Sequence, residues 1–571
     1  MTRAHRTAMI AALSAVMLAL ASCTPMLPTD GPVGTSEPDA GGDPVYHIQA
    51  QRPAEGMEPE EIVLGFINAG VEPTNQYEVA REYMTEDAAQ QWTSGARTLV
   101  HTGDPNILAL GEDAFSVQMQ VESAIDESGI MTQFPEGQTQ TEEFQLQQVE
   151  GEWRISDAPE GTMVVSGSFP TVYEAHTLYY YDPQLQYAVP DVRWFRSNRA
   201  GIPAEIVSAL LAGPVPYLEP AVVSAFSEDT ELQRPSVPVE DGRAVVDLDL
   251  EHVRGASAQE RLLMQHQLEL ALLDIPSVRS VEITVGQSDY EMPEQSPEIL
   301  DIAQGPSVGN TQVGIEDDTL VRVQDLQTLS IGSLPDISDL DPQQPAVPAE
   351  TEEVFAFLDG DGEVMYHLRP HRAPEPVLEG NSLTRPSMDN FGWTWAASQD
   401  EGGAQVHVAA YEESLAQATL EVSADWLTSL DVTALRVSQD GARAAIVADD
   451  DGESTLYLAG VVRDTSGVPR GLGEPVPLQT TSEPEDVRWL DEGALVAWAN
   501  SDEEAEEVER VSLNGSNQPL GSSLLGLQNV SAGEGQRTVF AETVTAPYNS
   551  RSGDTWDIND QVDARDYSFP G

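Results

Sequence analysis

One cysteine in 571 residues, standing directly behind an apolar segment, sets the terms on which this chain can fold. Arg3, His5 and Arg6 make a short basic stretch, and a nearly unbroken apolar run follows from Ala8 to Ala21, interrupted by Ser14. A helix that stays in a bilayer needs roughly 20 such residues. This run is shorter and has the length of the apolar part of a secretory signal. It ends in Leu20-Ala21-Ser22-Cys23. Cleavage between Ser22 and Cys23 makes the only thiol the first residue of the mature chain. No disulfide can then form within it. The folded part must rest on apolar cores, which a chain of this size can supply. A zinc site built on cysteines is excluded for the same reason.

The small residues before Cys23 resemble the bacterial lipobox. That resemblance implies an S-diacylglyceryl group on Cys23 and an acyl group on its new amino terminus. Two or three acyl chains anchor a protein firmly, whereas one is marginal. The expected location is the outer face of the cytoplasmic membrane, with residues 1–22 as signal peptide. No other apolar run approaches 18 residues, so a second span is not expected. Residues 23–53 are rich in Pro, Gly, Asp and Thr and read as a lipidated cysteine followed by a flexible tether.

The formal net charge is −69, from 96 acidic and 27 basic residues, and every basic residue is arginine. Removal of the signal takes away Arg3 and Arg6 and no acid, so the mature chain is more negative still. Nucleic acid and anionic headgroups would be repelled by such a surface. The acid excess is read as a device for solubility.

Beyond the tether the pattern changes three times, and the fold expected is multidomain: α+β, then α/β, then all-β. From 54 to 165, Pro59-Glu60-Glu61 opens a helix with Ile62, Val63, Phe66 and Ile67 on one face. A second helical stretch carries Tyr77, Ala80, Tyr83 and Met84. Alternating runs follow at 114–121 and 144–149, and Gly151-Glu152-Trp153-Arg154-Ile155 returns from the latter as a hairpin. Helices followed by antiparallel strands resemble the cone-like α+β fold of the nuclear-transport-factor-2 superfamily. From 172 to 286 the spacing predicts a strand pair turning within 187–194, a helix over 202–212 closed by Gly213-Pro214, a strand over 243–248, a helix over 261–273 and a strand over 280–285. This order resembles the GerMN domain, with Leu210-Leu211-Ala212-Gly213-Pro214 and Val246-Asp247-Leu248 carrying the match.

Residues 287–353 read as an irregular linker with possible first strands of the next unit. From 354 to 571 short strands flank Asp/Gly turns at Asp359-Gly360-Asp361-Gly362, Gln439-Asp440-Gly441 and Asp491-Glu492-Gly493. Strand, turn and strand recurring at roughly 40 to 50 residues predict a C-terminal β-propeller of about five or six blades.

Three such domains behind a lipobox resemble the LpqB family of actinobacterial lipoproteins. The sharpest motifs are Arg385-Pro386-Ser387-Met388-Asp389-Asn390-Phe391-Gly392-Trp393-Thr394-Trp395, Val437-Ser438-Gln439-Asp440-Gly441-Ala442-Arg443-Ala444-Ala445, and the terminal Ser550-Arg551-Ser552-Gly553 with Phe569-Pro570-Gly571. The resemblance implies a non-enzymatic partner of a two-component system, acting from outside on the extracellular domain of an MtrB-like sensor histidine kinase and so on envelope and division processes. An envelope glycan binder and a propeller-based envelope hydrolase stay open as alternatives.

No catalytic constellation is read from the sequence. The nine histidines are scattered, and neither a His-Glu-x-x-His nor a Gly-x-Ser-x-Gly pattern occurs. Closely spaced carboxylates at Asp359–Glu363 and Asp449–Glu453 would suit a calcium ion, but Asp-Gly is also the standard hairpin turn, and that reading is preferred. No metal or cofactor is therefore expected. Trp393 and Trp395, two apart on a strand, share a face. They are the candidate ligand face, against packing between propeller sheets. Met264, Leu268 and Leu272 form a helical stripe read as core.

Overall fold

The structure is a computed structural model that describes residues 50–571, apart from 74, 198–200, 250–252, 254, 294–301, 307, 325, 352, 401, 416, 534, 536, 537, 547, 548, 553, 554 and 560. Ser22, Cys23, the signal and the tether up to residue 49 lie outside the described residues.

The first domain opens with α1 (Pro59–Asn68), which starts at a proline and carries a capping box between Glu58 and Glu61. Ile62, Val63, Phe66 and Ile67 point from α1 into the core as expected. Two short helices follow, α2 (Glu78–Glu82) and α3 (Glu86–Gln91). Thr85 caps α3, its hydroxyl accepting the Ala88 N–H. The sheet has the order β5-β4-β2-β1-β6, from β1 (Arg97–Ala109), β2 (Ala114–Asp126), β3 (Met131–Gln133), β4 (Thr139–Val149), β5 (Glu152–Asp157) and β6 (Thr162–Val165), with β3 beside β2. The thirteen-residue β1 carries no clean alternation and has no counterpart in the sequence reading. The expected β4–β5 hairpin is present. Glu150 and Gly151 both have positive φ, 55° and 91°, the turn that matches the twist of two strands. Phe66 meets Trp92 and Phe144 edge-on beneath this sheet.

In the second domain β7 (Tyr173–Tyr181) and β8 (Ala188–Arg196) form a nine-pair ladder. The expected turn within 187–194 is a correction. Pro190 pairs with Tyr179 inside a continuous strand. A two-stranded ladder leaves one edge of each strand free, where a missing N–H costs nothing. The actual turn lies at 182–187. There the Asp182 carboxylate accepts the backbone N–H groups of Gln184, Gln186 and Tyr187. The ladder is entered from α4 (Phe169–Val172), the link between the first two domains, and is followed by α5 (Ile202–Ala212) and a sheet of order β9-β10-β11-β12. Its strands are β9 (Val239–Glu240), β10 (Arg243–Leu248), β11 (Ser280–Val285) and β12 (Ser288–Asp289). β10 and β11 are parallel, so a crossover must join them. It is α6 (Ala258–Leu272), which begins at a Ser257–Glu260 capping box three residues before the expected start.

The rest, among the described residues, is a closed ring of six sheets, each of at least four strands, with a two-stranded ribbon of Ala505–Glu506 and Leu524–Leu525 in addition. The second to sixth sheets begin at Gln343, Ser387, Asp431, Asp486 and Leu527, and their first strands meet around the inside of the ring. In the first sheet, Gln312–Glu316, Thr319–Gln324 and Gln327–Ser330 are joined by the last strand of the chain, Arg565–Ser568. That strand packs against both Gln343–Ala346 and Leu527–Ala532, which closes the ring. The 287–353 stretch thus carries three strands of the first sheet and one of the second. The Pro-rich part from Leu334, read as irregular, contains the strand Gln343–Ala346 because its pairing partner Phe355–Leu358 is supplied from beyond it.

Candidate functional site

The inner strands of three successive propeller sheets repeat one feature. On or beside each stands an arginine and, four residues on, past the strand's end, an acid: Arg385 and Asp389, Arg436 and Asp440, Arg488 and Glu492. Equivalent positions on neighbouring inner strands face the same axis, so the arginines gather at one end of the ring and the acids at the other.

At the acidic end most of the groups are well partnered, Arg443 Nε being an exception among the described residues. Asp389 accepts the backbone N–H groups of Phe391 and Trp393, the Trp395 indole N–H at 2.8 Å and the Arg463 guanidinium at 2.7 Å. Arg463 also donates to the carbonyls of Gly441 and Gly467, and lies 4.5 Å over the Phe391 ring. Asp440 binds Ser438, the Ala442 N–H and Arg443. The second domain covers this end. Tyr179 donates to Glu492 at 3.0 Å, Tyr187 to Glu350 at 2.6 Å, and Gln184 to the Asp464 carbonyl at 2.8 Å. Burial, then the charge of Glu492, pushes the Tyr179 hydroxyl well above its ordinary range.

At the arginine end three guanidinium groups meet one carboxylate. Asp486 lies 2.7 Å from Arg488, 3.5 Å from Arg436 and 4.0 Å from Arg385. All three arginines are at least nine-tenths buried. Among the described residues, Arg385 Nε, Arg436 Nη2 and Arg488 Nε have no hydrogen-bond partner. Burial pushes Arg488 down to about 10 against the pull of Asp486. Burial and then the charge of Arg488 draw Arg436 well below its ordinary value, with Asp486 opposing. Burial alone would raise Asp486, but Arg488, Arg436 and Arg385 hold its carboxyl below the usual range. Burial, then Asp566, pushes Glu542 up to about 7.

This end opens into a cleft of about 550 Å³. Arg385 and Asp486 form part of its wall, together with the carboxylates of Asp449, Glu483, Glu485 and Glu506. No histidine is among its lining residues. An adjoining cavity of about 290 Å³ shares Gln344, Leu383, Thr384 and Thr433 with it. The cleft therefore offers a cation on one wall and acids around it.

The residues singled out from the sequence lie elsewhere. Trp393 and Trp395 are 1% and 0% exposed and sit in one core cluster with Val406, Val437 and Ile446. Neither presents a ring to a ligand, so the ligand-face expectation is corrected to packing between sheets, and with it goes the aromatic platform of the glycan-binding alternative. Asp359 accepts the N–H groups of Glu363 and Val364, and Asp449 that of Gly452; both acidic runs are hairpin turns. Met264, Leu268 and Leu272 are buried in the second domain's core. Among the described residues no group of three or more His, Cys, Asp and Glu could hold a metal ion. The Arg385, Arg436 and Arg488 constellation was not found from sequence. Its signal is the arginine-x3-acid repeat about every fifty residues, visible once blade register is known.

Three family descriptions match the chain in succession: "Lipoprotein LpqB, N-terminal domain" over residues 52–170, "Sporulation and spore germination" over 177–291 and "Lipoprotein LpqB beta-propeller domain" over 318–567. Lipoprotein LpqB of Bifidobacterium longum is 26% identical over 495 residues, covering 81% of each chain. That of Nocardia farcinica is 27% identical, covering 83% of this chain and 82% of the relative. That of Streptomyces avermitilis is 26% identical, covering 91% and 90%. Among solved structures, TolB from Acinetobacter baumannii aligns at a TM-score of 0.25 and 8% identity, covering 83% of this chain and 93% of that one. The tandem GerMN domains of the sporulation protein GerM from Bacillus subtilis align at 0.19 and 16% identity, covering 33% and 62%.

Proposed function

The chain belongs to the LpqB lipoprotein family and is a membrane-anchored, extracytoplasmic lipoprotein; from that premise we propose that it is a non-catalytic modulator of an MtrB-like sensor kinase. It acts from the outer face of the cytoplasmic membrane, held there by lipid on Cys23 after cleavage behind Ser22. No helix among the described residues is long and apolar enough to cross a membrane.

The observation that carries this reading is how the three domains are joined. Gly129 of the first domain pairs with Trp194 of the second, and the Arg193 guanidinium reaches the Ser128 carbonyl. Trp194 donates its indole N–H to the Asn514 carbonyl of the propeller, and Gln133 to that of Gly515. The loop at Tyr217 packs into the propeller core beside Leu458 and Trp489. Domains held this way move as one body and present a combined surface to a partner.

The tether confines that body near the membrane, at an effective concentration of about the mM range. A weak contact then shifts the kinase, provided it favours one signalling state. The acid excess suits a partner with exposed arginine or lysine, and such attraction weakens with salt. The test reconstitutes the kinase in liposomes and compares autophosphorylation with lipidated protein, with Cys23→Ser and with neither. A rate changed by the lipidated form alone is the expected result. Equal rates in all three, with no crosslink between the two proteins in cells, would reject the mechanism.

A further inference from the structure

We propose that the cleft at the arginine end of the propeller binds a small zwitterion, a free amino acid or short peptide, through Arg385 and the surrounding acids. This stands apart from the kinase reading and needs no partner protein.

The argument begins with an unbalanced charge. A buried guanidinium is costly unless its N–H groups are engaged. Arg385 is only 7% exposed, yet its one side-chain hydrogen bond among the described residues is a long one, 3.5 Å to the Asp566 carbonyl. Its two carboxylate contacts are loose, 3.7 Å to Asp566 and 4.0 Å to Asp486. Asp486 gives its close contact to Arg488 and its next to Arg436, so its charge is already claimed. Arg385 is thus a cation in a cleft wall with donors to spare. A planar carboxylate fits such a fork in two parallel bonds.

The remaining walls restrict what can bring that carboxylate. Asp449, Glu483, Glu485 and Glu506 line the same cleft. They would repel a simple anion such as phosphate and attract an ammonium group. A bare metal cation is opposed by Arg385, with Arg436 and Arg488 behind Asp486. A molecule with a carboxylate at one end and an ammonium at the other satisfies both. The volume of about 550 Å³ lies within the usual span of small-molecule sites, about 300–1,000 Å³. The polar flank of Gln344, Thr384, Thr433 and Asn500 offers hydrogen bonds to the peptide groups between the two ends.

The experiment is isothermal titration of the full-length lipidated protein in detergent micelles with trialanine, its N-acetyl form, its C-terminal amide, and inorganic phosphate. Trialanine should bind saturably below about 10 mM, and capping either end should weaken it by at least about tenfold. Arg385→Gln should weaken trialanine and the N-acetyl form but leave the amide unchanged, because the amide has already lost that contact. Glu483→Gln with Glu506→Gln, both near the surface, should weaken trialanine and the amide but not the N-acetyl form. This pair keeps the test decisive if Arg385→Gln fails to fold. No saturable binding of trialanine up to about 10 mM, equal binding of free and capped forms, or tighter binding of phosphate would each overturn the proposal.

Discussion

The two ends of the propeller's inner strands hold buried charges of similar kind in opposite condition. At one end Asp389 and Arg463 divide seven polar partnerships between them, and Arg463 is also stacked on Phe391. One of these engages the backbone of Asp389 itself, whose carbonyl accepts the Tyr411 hydroxyl. At the other end Arg385, Arg436 and Arg488 share Asp486; Arg436 and Arg488 also donate to backbone carbonyls, each of the three leaves a buried N–H without a partner among the described residues, and Arg385 keeps one long hydrogen bond. A satisfied buried pair holds structure together. An unsatisfied one costs stability and persists where something else gains from it. The difference separates a latch from a site, though both arise from the same repeat.

The largest expected effect tests the latch. Asp389→Ala leaves the Arg463 guanidinium, the Trp395 indole N–H and two backbone N–H groups short of their acceptor. Removing one member of a buried pair costs about 3–5 kcal/mol. Urea denaturation should show a loss of that size. A loss under about 1 kcal/mol would erase the contrast between the ends.

The next two effects are set by pH and have opposite signs. His367, buried and hydrogen-bonded to Thr394 across two neighbouring sheets, is pushed down to about 4 by burial and then by Arg369. The unfolded chain takes up this proton below its ordinary value of 6.5 while the folded chain resists. The contribution is therefore full above 6.5 and is lost as pH falls toward 4. It amounts to up to about 3 kcal/mol. Denaturation of His367→Gln across that window should show a correspondingly flatter profile.

Glu542 belongs to the arginine end, and its carboxylate accepts the Asp566 N–H at 2.8 Å. Its pKa is raised from 4.5 to about 7. Below 4.5 folded and unfolded chains are both protonated. Between 4.5 and 7 only the unfolded chain releases the proton, so the contribution falls as pH rises, again by up to about 3 kcal/mol. Glu542→Gln keeps the acceptor and should be more stable than the parent above pH 7, with the two converging near pH 4. Parallel profiles for parent and variant would count against an electrostatically strained arginine end.

The smallest effect is the sharpest comparison. Arg385→Gln removes a buried charge that makes one long hydrogen bond and relieves repulsion on Arg436 and Arg488. Its stability should stay within about 1 kcal/mol of the parent or rise. Arg463→Gln, at the satisfied end, should cost several times more by the same urea measurement.

What the sequence determined by itself is what local chemistry encodes. Gly-containing turns with two residues of positive φ, such as Asp241 and Gly242 at 52° and 81°, locate hairpins without reference to anything distant. Apolar faces at helical spacing placed Ile62, Phe66 and Leu268 in cores, because periodicity is a property of a single element. The order of three domains followed from those elements. Only the tertiary structure decided the rest. Trp393 and Trp395 share a face in any strand, but whether that face meets solvent or another sheet depends on neighbours far along the chain. Pairing of Val313 with Ser568 closes the ring, and no local signal specifies a partner at that distance. The arginine cluster shares this origin. Arg385, Arg436 and Arg488 are ordinary surface residues in a single blade's sequence, and they become a buried constellation only when three inner strands are set side by side around one axis.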